Sequence, residues 1–363
     1  MSVNDLELQS VINASGKMSI LGVSTMSDEV TEAMKEGAQS FYVMEDLRKK
    51  AGKKVAQYIK TEAAMITNSA SSAIVLAVSG LLTKDDTRLI HHLEERAMTS
   101  QNEIIIMTGH HIDYGAPVKT MVQMAGAHVS FAGYANGCSL KQIEDAISER
   151  TLGMVYVQSH HCVQKNMPAL ADISQLMEQH NIPFIIDAAA ETDIAAFSHL
   201  GDMCIISGSK ALAGPTSGIL AGKERYIEYA TYHESGIGRA MKVGKESITG
   251  LLKALEQYPS QTNNENRQLD ILQQLQTIDT LPGVTSLLIK DDSRNIYRLR
   301  LTIDAKLCGK DAPTIVQQLK KGDVAIYTRD YHASEGSFDI DPRTLTETDG
   351  QYIFSRLEQI IRS

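Results

Sequence analysis

The 363-residue sequence lacks several features, and each absence narrows its chemistry. Its four cysteines (Cys138, Cys162, Cys204, Cys308) are widely spaced and form no CxxC pair. Neither a disulfide frame nor a metal site is therefore expected, and the thiols read as reduced ones. There is no basic run, and the formal net charge is −9, which argues against nucleic acid as a partner. The opening MSVNDLELQSVINASG has no basic segment followed by an apolar one, so no signal peptide is expected. No apolar stretch approaches the length needed to span a membrane. Internal repeats and low-complexity linkers are also missing. Together these point to a cytoplasmic protein with no membrane partner.

What remains is ordinary globular composition, 43% apolar and 22% charged, in a chain long enough for two domains or one domain with a lobe. The stretch Ile182 to Lys223 organises the rest. It reads as two short buried strands, Pro183 to Ile186 and Met203 to Ser207. The first is followed by Asp187, the second by Ser207-Gly208-Ser209-Lys210. In a parallel α/β sheet, ligands sit at the carboxyl ends of the strands. A carboxylate and a lysine at two such ends suit pyridoxal 5′-phosphate, which needs a lysine for its Schiff base and an anion facing its pyridinium nitrogen. Taken singly, Asp187 reads more readily as a helix cap and Lys210 as a solvated turn residue; it is their occurrence together that favours the cofactor. Gly214, Pro215 and Gly218 read as turn residues that carry the backbone away close to the ring.

In chain order, a Gly-, Ser- and Asn-rich arm precedes a helix capped by Ser27. A helix over Asp46 to Tyr58 and a strand over Ala63 to Ile66 lead into Asn68-Ser69-Ala70-Ser71-Ser72 and an apolar helix, Ala73 to Leu82. Small hydroxylated residues at a helix start form a phosphate site. Strands are expected at Arg88 to Ile90, Glu103 to Met107, His128 to Phe131 and Met154 to Val157. Helices at Leu140 to Ile147 and Leu170 to His180 alternate with them, so the sheet should be largely parallel. After a helix from Glu224, a long helical stretch runs from Glu246 to about Gln276. Strands at Thr285 to Lys290, Tyr297 to Ile303 and Ala325 to Thr328, with a final helix Gly350 to Ile361, make a small α+β lobe. The expected division is 1–44 as arm and helix, 45–235 as the large domain and 236–363 as the small one.

The segments VINASGKMSILG, IIDAAAETD, SGSKALAGPTSGIL, GIGRAMKVGKE and IDPRTL, spread from Ile12 to Leu345, resemble those of fold-type-I (aspartate-aminotransferase-like) pyridoxal-phosphate enzymes. Within these they resemble the selenocysteine-synthase-like branch, and there the D-glucosaminate-6-phosphate ammonia-lyase family. The resemblance implies a mostly parallel seven-stranded sheet with a small C-terminal α+β domain, and a homodimer or higher homo-oligomer. It implies Lys210 as the cofactor lysine and Asp187 as the pyridinium partner. Ser69, Ala70 and Ser71, with Ser207 or Ser209, would hold the cofactor phosphate, and His111, or its neighbour His110, would stack on the ring. Arg329 would meet the substrate carboxylate, with Arg343 better read as an ion-pair partner of Asp339 or Asp341. Arg239, Lys242, Lys245 and Lys17 are candidates for a phosphorylated sugar acid. His160, His161 and Gln164 follow another strand end without a defined role. The implied reaction is α,β-elimination on an amino sugar acid; transamination, aldol cleavage, β-replacement or a non-catalytic binding role are the alternatives.

Overall fold

The computed structural model describes residues 3–159, 161–261, 265–291 and 296–363. The chain forms two compact units: Met26–Tyr258, and a second made of Met1–Thr25 with Pro259–Ser363. Residues 26–44 and 236–258, expected outside the large domain, fall inside the larger unit. The strands are β1 Ser10–Ala14, β2 Ala63–Thr67, β3 Glu103–Met107, β4 His128–Ala132, β5 Thr151–Val157, β6 Phe184–Asp187, β7 Met203–Ser207, β8 Gly218–Gly222, β9 Val284–Lys290, β10 Tyr297–Ile303, β11 Val324–Thr328 and β12 Ser337–Ile340.

The larger unit is built on a seven-stranded sheet in the order β2-β8-β7-β6-β5-β3-β4. It is parallel throughout except for β8, which runs antiparallel to both neighbours. Side chains alternate between its faces with period two. Ile105, Met107, Met154 and Ile186 point into one apolar layer with Val55, Ile59, Ile173 and Leu251. Ile104, Ile106, Val155 and Ile185 point into the other, with Ile74, Val78, Val122 and Ile227. Helices cover both faces, which is why the strands read as continuous apolar runs. The helix Ala70–Thr83 is buried from Ser72 onward. A helix apolar on every side belongs at the centre of a layer.

The smaller unit has two sheets. β10 lies antiparallel between β12 and β9, and β1 pairs in parallel with β11. Its core joins Leu299, Leu301, Ile326 and Phe338 to Ile315, Leu319, Ile353 and Leu357. Among the described residues, no helix is long and apolar enough to cross a membrane.

Four expectations are corrected. Arg88 to Ile90 is not a strand but a turn, with the Asp86 carboxylate accepting the Arg88 N–H at 3.0 Å; such local capping competes with strand pairing. Gly218 is not a turn residue but the first residue of β8. Ser10 to Ala14 is a strand because its partner, β11, lies far along the chain. The helical stretch after Glu246 comprises two helices, Lys245–Gln261 and Glu265–Leu275; residues 262–264 lie outside the described residues.

Candidate active site

The sheet register of the larger unit sets polar groups in a row at one end. Thr67 at the end of β2 pairs with Gly218 at the start of β8, and Gly218 with Ser207 at the end of β7. One strand further, Asp187 closes β6 and pairs with Val157 at the end of β5. Because β8 runs backwards, its first residue borders this end. That residue has to be glycine: a Cβ there would lie 2.3 Å from the Ser69 carbonyl carbon and 2.5 Å from the Ala70 nitrogen. Side-chain-free backbone thus supports the start of the Ala70–Thr83 helix.

At that helix start, the Ser69 hydroxyl accepts the Ser72 N–H at 3.1 Å and exchanges a hydrogen bond with the Ser72 hydroxyl at 2.9 Å. The Ser72 hydroxyl also donates to Asn68 Oδ1 at 2.5 Å. These bonds occupy Ser69 and Ser72. The backbone N–H groups of the first turn and the positive end of the helix dipole face outward from it, the arrangement that binds anions.

Lys210 sits in the turn after β7, half-buried, with Ser207 and Ser209 hydroxyls 3.3 Å apart beside it. The turn is clamped at its root by Gly208 N–H to the Ser217 carbonyl and Gly214 N–H to the Gly208 carbonyl, both 2.9 Å. Ala213 in this loop has φ of +49°, a conformation that side-chain-bearing residues adopt only when their surroundings impose it.

Asp187 is buried, and burial raises its carboxyl pKa. The Ala189 N–H, donating at 3.1 Å, and the charge of Lys210 oppose that rise. The same carboxylate acts on its neighbours. Burial first, and then the Asp187 charge, push the Cys162 and Cys204 thiols up to about 12. A single buried carboxylate with one hydrogen bond and a lysine within electrostatic reach is poised to receive a protonated partner.

The two adjacent histidines separate. His110 is fully buried, in edge contact with Tyr156 at 4.6 Å, and its Nδ1 accepts the Val157 N–H at 3.4 Å. Burial pulls its pKa down to about 4, so its ring is neutral. His111 is exposed, its ring tilted against Phe131 at 5.1 Å. Sequence reasoning missed Tyr114. Its hydroxyl is buried without a well-formed hydrogen bond, close to Ser71 and within reach of the Asp187 charge. Burial, the larger effect, holds the phenol above its usual pKa. The only signal in the sequence was its place shortly after the β3 strand end.

Arg239 and Lys242 are exposed on the turn Ile237–Met241 and just after it, and none of the described contacts joins them to Lys210. Lys245 donates to the Ser40 carbonyl and lies 5.1 Å from the Phe41 ring. Gln164 donates to the Ser159 carbonyl at 3.1 Å, and the His161 N–H to the Ser159 hydroxyl at 3.2 Å; His160 lies outside the described residues.

The smaller unit holds its own cationic cluster. Arg343 grips Asp341 with two bonds of 2.8 Å, and Arg298 reaches the same carboxylate at 3.1 Å and Asp291 at 3.2 Å. Arg300 pairs with Asp339 at 2.7 Å. Arg329 differs: it donates to the Ser15 carbonyl at 3.3 Å and lies over the Tyr331 ring at 5.2 Å, and among the described residues no carboxylate pairs with it. Lys17 is drawn down to about 8, by burial first and then by Arg343, with Asp341 opposing.

Comparison with known proteins gives this arrangement its family. A family model described as beta-eliminating lyase matches residues 21–285. D-glucosaminate-6-phosphate ammonia lyase of Salmonella typhimurium is 38% identical over 98% of this chain and 96% of its own length. The chain belongs to the beta-eliminating lyase family. A solved structure of D-glucosaminate-6-phosphate ammonia-lyase superposes with a TM-score of 0.92 at 36% identity, covering 99% of this chain and 97% of its own. Other relatives diverge in chemistry. A Streptomyces 5′-C-glycyluridine monooxygenase-decarboxylase is 32% identical over 99% of this chain and 92% of its own length. An L-seryl-tRNA(Sec) selenium transferase of Clostridium perfringens is 25% identical over 97% of this chain and 83% of its own. Aspartate aminotransferase of Thermus thermophilus shares the fold, with a TM-score of 0.53 at 14% identity.

As a beta-eliminating lyase with an aspartate-aminotransferase-like fold, the chain is a pyridoxal-phosphate-dependent lyase. Its residues fit that cofactor. The helix start above Gly218 suits the phosphate, buried Asp187 suits the ring nitrogen, and Tyr114 places an unpartnered hydroxyl near both Ser71 and Asp187.

Proposed function

We propose that this lyase is an ammonia-lyase that converts D-glucosaminate-6-phosphate to 2-keto-3-deoxygluconate-6-phosphate and ammonia. The near-full-length 38% identity to an enzyme of that name carries the reading. The pairing of Lys210 with buried Asp187 supplies its chemistry.

When bound, pyridoxal phosphate draws electron density from the substrate α-carbon. Lys210 would serve as both tether for the cofactor and base, its Nζ taking the substrate α-proton. Asp187 holds a proton on the ring nitrogen, and burial makes that ion pair strong. Lys210 would then pass that proton to the departing 3-hydroxyl, which leaves as water, and hydrolysis by a second water would release the amino group as ammonia. Ser71 and the N–H groups of the first helical turn hold the cofactor phosphate, with Ser69 keeping that turn in shape and Ser207 and Ser209 assisting. His110 would support the site as a buried neutral ring just beyond the end of β3, and exposed His111 would lie against the cofactor.

Arg329, with no carboxylate of its own, takes the substrate carboxylate, a task suited to the guanidinium fork. Lys17, Arg239 and Lys242 are the cations offered to the substrate phosphate. A cytoplasmic location and a homodimer or larger assembly belong to the same proposal.

Ammonia and keto-acid release should be assayed across amino sugar acids with and without the terminal phosphate. Turnover of the phosphorylated acid well above the rest is expected. Turnover confined to unphosphorylated acids, or none with any of them, rejects the substrate. An absorbance scan reads the cofactor separately.

A further inference from the structure

A second charged site lies in the larger unit, away from Lys210, and the lyase chemistry does not use it. Arg96 has no exposed surface, and its Nε and Nη2 are buried without hydrogen-bond partners. Among the described residues its side chain makes a single, long polar contact, Nη1 to His233 Nδ1 at 3.5 Å. His233 is equally buried, and its Nε2 shares a 2.9 Å hydrogen bond with the Thr83 hydroxyl. One helical turn before Thr83, the Ser79 hydroxyl is fully buried and also unpartnered.

Among the described residues, no carboxylate balances this group. Burial alone accounts for the lowered pKa of Arg96. His233 is drawn to about 4 by burial and by the charges of Arg96 and His91. The adjacent Glu234 is engaged at 2.9 Å by Arg48. An isolated buried guanidinium costs several kcal/mol, and orphaned buried donors of this kind are rare. The arrangement is that of a binding pocket for a negative ion. Arg96 Nε and Nη2 and the Ser79 hydroxyl are left as buried donors without partners, near Thr83 and His233, and a small monatomic anion is the simplest group to balance the guanidinium.

We propose that Arg96 and the Ser79 hydroxyl, next to Thr83 and His233, bind a halide, chloride in solution, as the counter-ion that completes this part of the fold. The site lies at the carboxyl-terminal end of the Ala70–Thr83 helix, whose amino-terminal end faces the cofactor phosphate.

The test uses the full-length, cofactor-loaded protein. Chloride is titrated against gluconate at constant ionic strength and Tm is read. The expected result is a rise of about 4 °C at a hundredfold excess over the dissociation constant. Arg96→Met should lose that dependence, and a bromide-soaked crystal should show an anomalous peak beside the Arg96 guanidinium. If Arg96→Met does not fold, Ser79→Ala is read instead and should raise the half-saturating chloride concentration severalfold. A wild-type Tm indifferent to chloride, an unchanged dependence in the variant, or no bromide peak at Arg96 overturns the proposal.

Discussion

Asp187 and Asp341 are both buried carboxylates, yet they are held in opposite ways. Asp341 is saturated: Arg343 binds it twice, Arg298 once, and it accepts the Arg343 N–H. These cations overcome burial and lower its pKa. Asp187 has one backbone N–H and the charge of Lys210, and burial prevails, raising its pKa. A carboxylate fully satisfied by its own chain stabilises a fold. One left under-satisfied reserves its charge for something that arrives later.

The largest effect that would break this contrast is on turnover. Lys210→Ala should lower kcat by about 10²–10⁴-fold or more and abolish the cofactor's lysine-linked absorbance. A purified variant that keeps both would remove the lysine from the chemistry. The sharpest comparison is between two equivalent substitutions. Asp341→Asn should cost about 3–5 kcal/mol in urea unfolding, because it strands Arg343 and leaves Arg298 with Asp291 alone. Asp187→Asn should leave the cofactor-free protein as stable or more so while crippling turnover. Equal destabilisation by the two would erase the distinction.

Acid unfolding of the cofactor-free protein tests the same electrostatics. His110 and His233 titrate near 4 in the fold against 6.5 in the open chain. The unfolded chain therefore binds more protons between those values, and stability should fall as pH drops from 6.5 towards 4. Asp341, with its lowered pKa, adds stability that is present above 3.8 and lost as pH falls below it. Asp187 has the opposite slope: its raised pKa favours the fold when protonated, so Asp187→Asn should steepen the rise in stability as pH climbs above 3.8. The smallest expected effect is at Arg329. Arg329→Lys keeps the charge but loses the fork, and KM should rise about tenfold with kcat less changed. An unaltered KM would place the substrate carboxylate elsewhere.

The site was legible where chemistry and strand ends coincide. Asp187 and Lys210 each close an apolar run, and the serines of Asn68 to Ser72 open a helix, so local pattern alone brings them to one end of the sheet. Arg343 was also readable as the partner of a nearby aspartate. Tyr114 was not, because its significance lies in a contact with Ser71, far away in the chain. Gly218 was misread for a similar reason. A glycine after a lysine loop signals a turn locally, and only the approach of Ser69 shows that it is a strand residue. In the smaller unit, Ser10 to Ala14 carried too little pattern to reveal a strand whose partner begins at Val324.

The reversed direction of β8 has a mechanical result. A parallel successor to β7 would have required a long crossover, leaving the cofactor lysine on an open span. Instead, Ser207 and Gly218 face each other across a ladder rung, so the segment between them is a closed loop rooted in the sheet. For the two tasks proposed for Lys210, the amine would swing like a gate on a fixed post, while the strands that carry the post stay still.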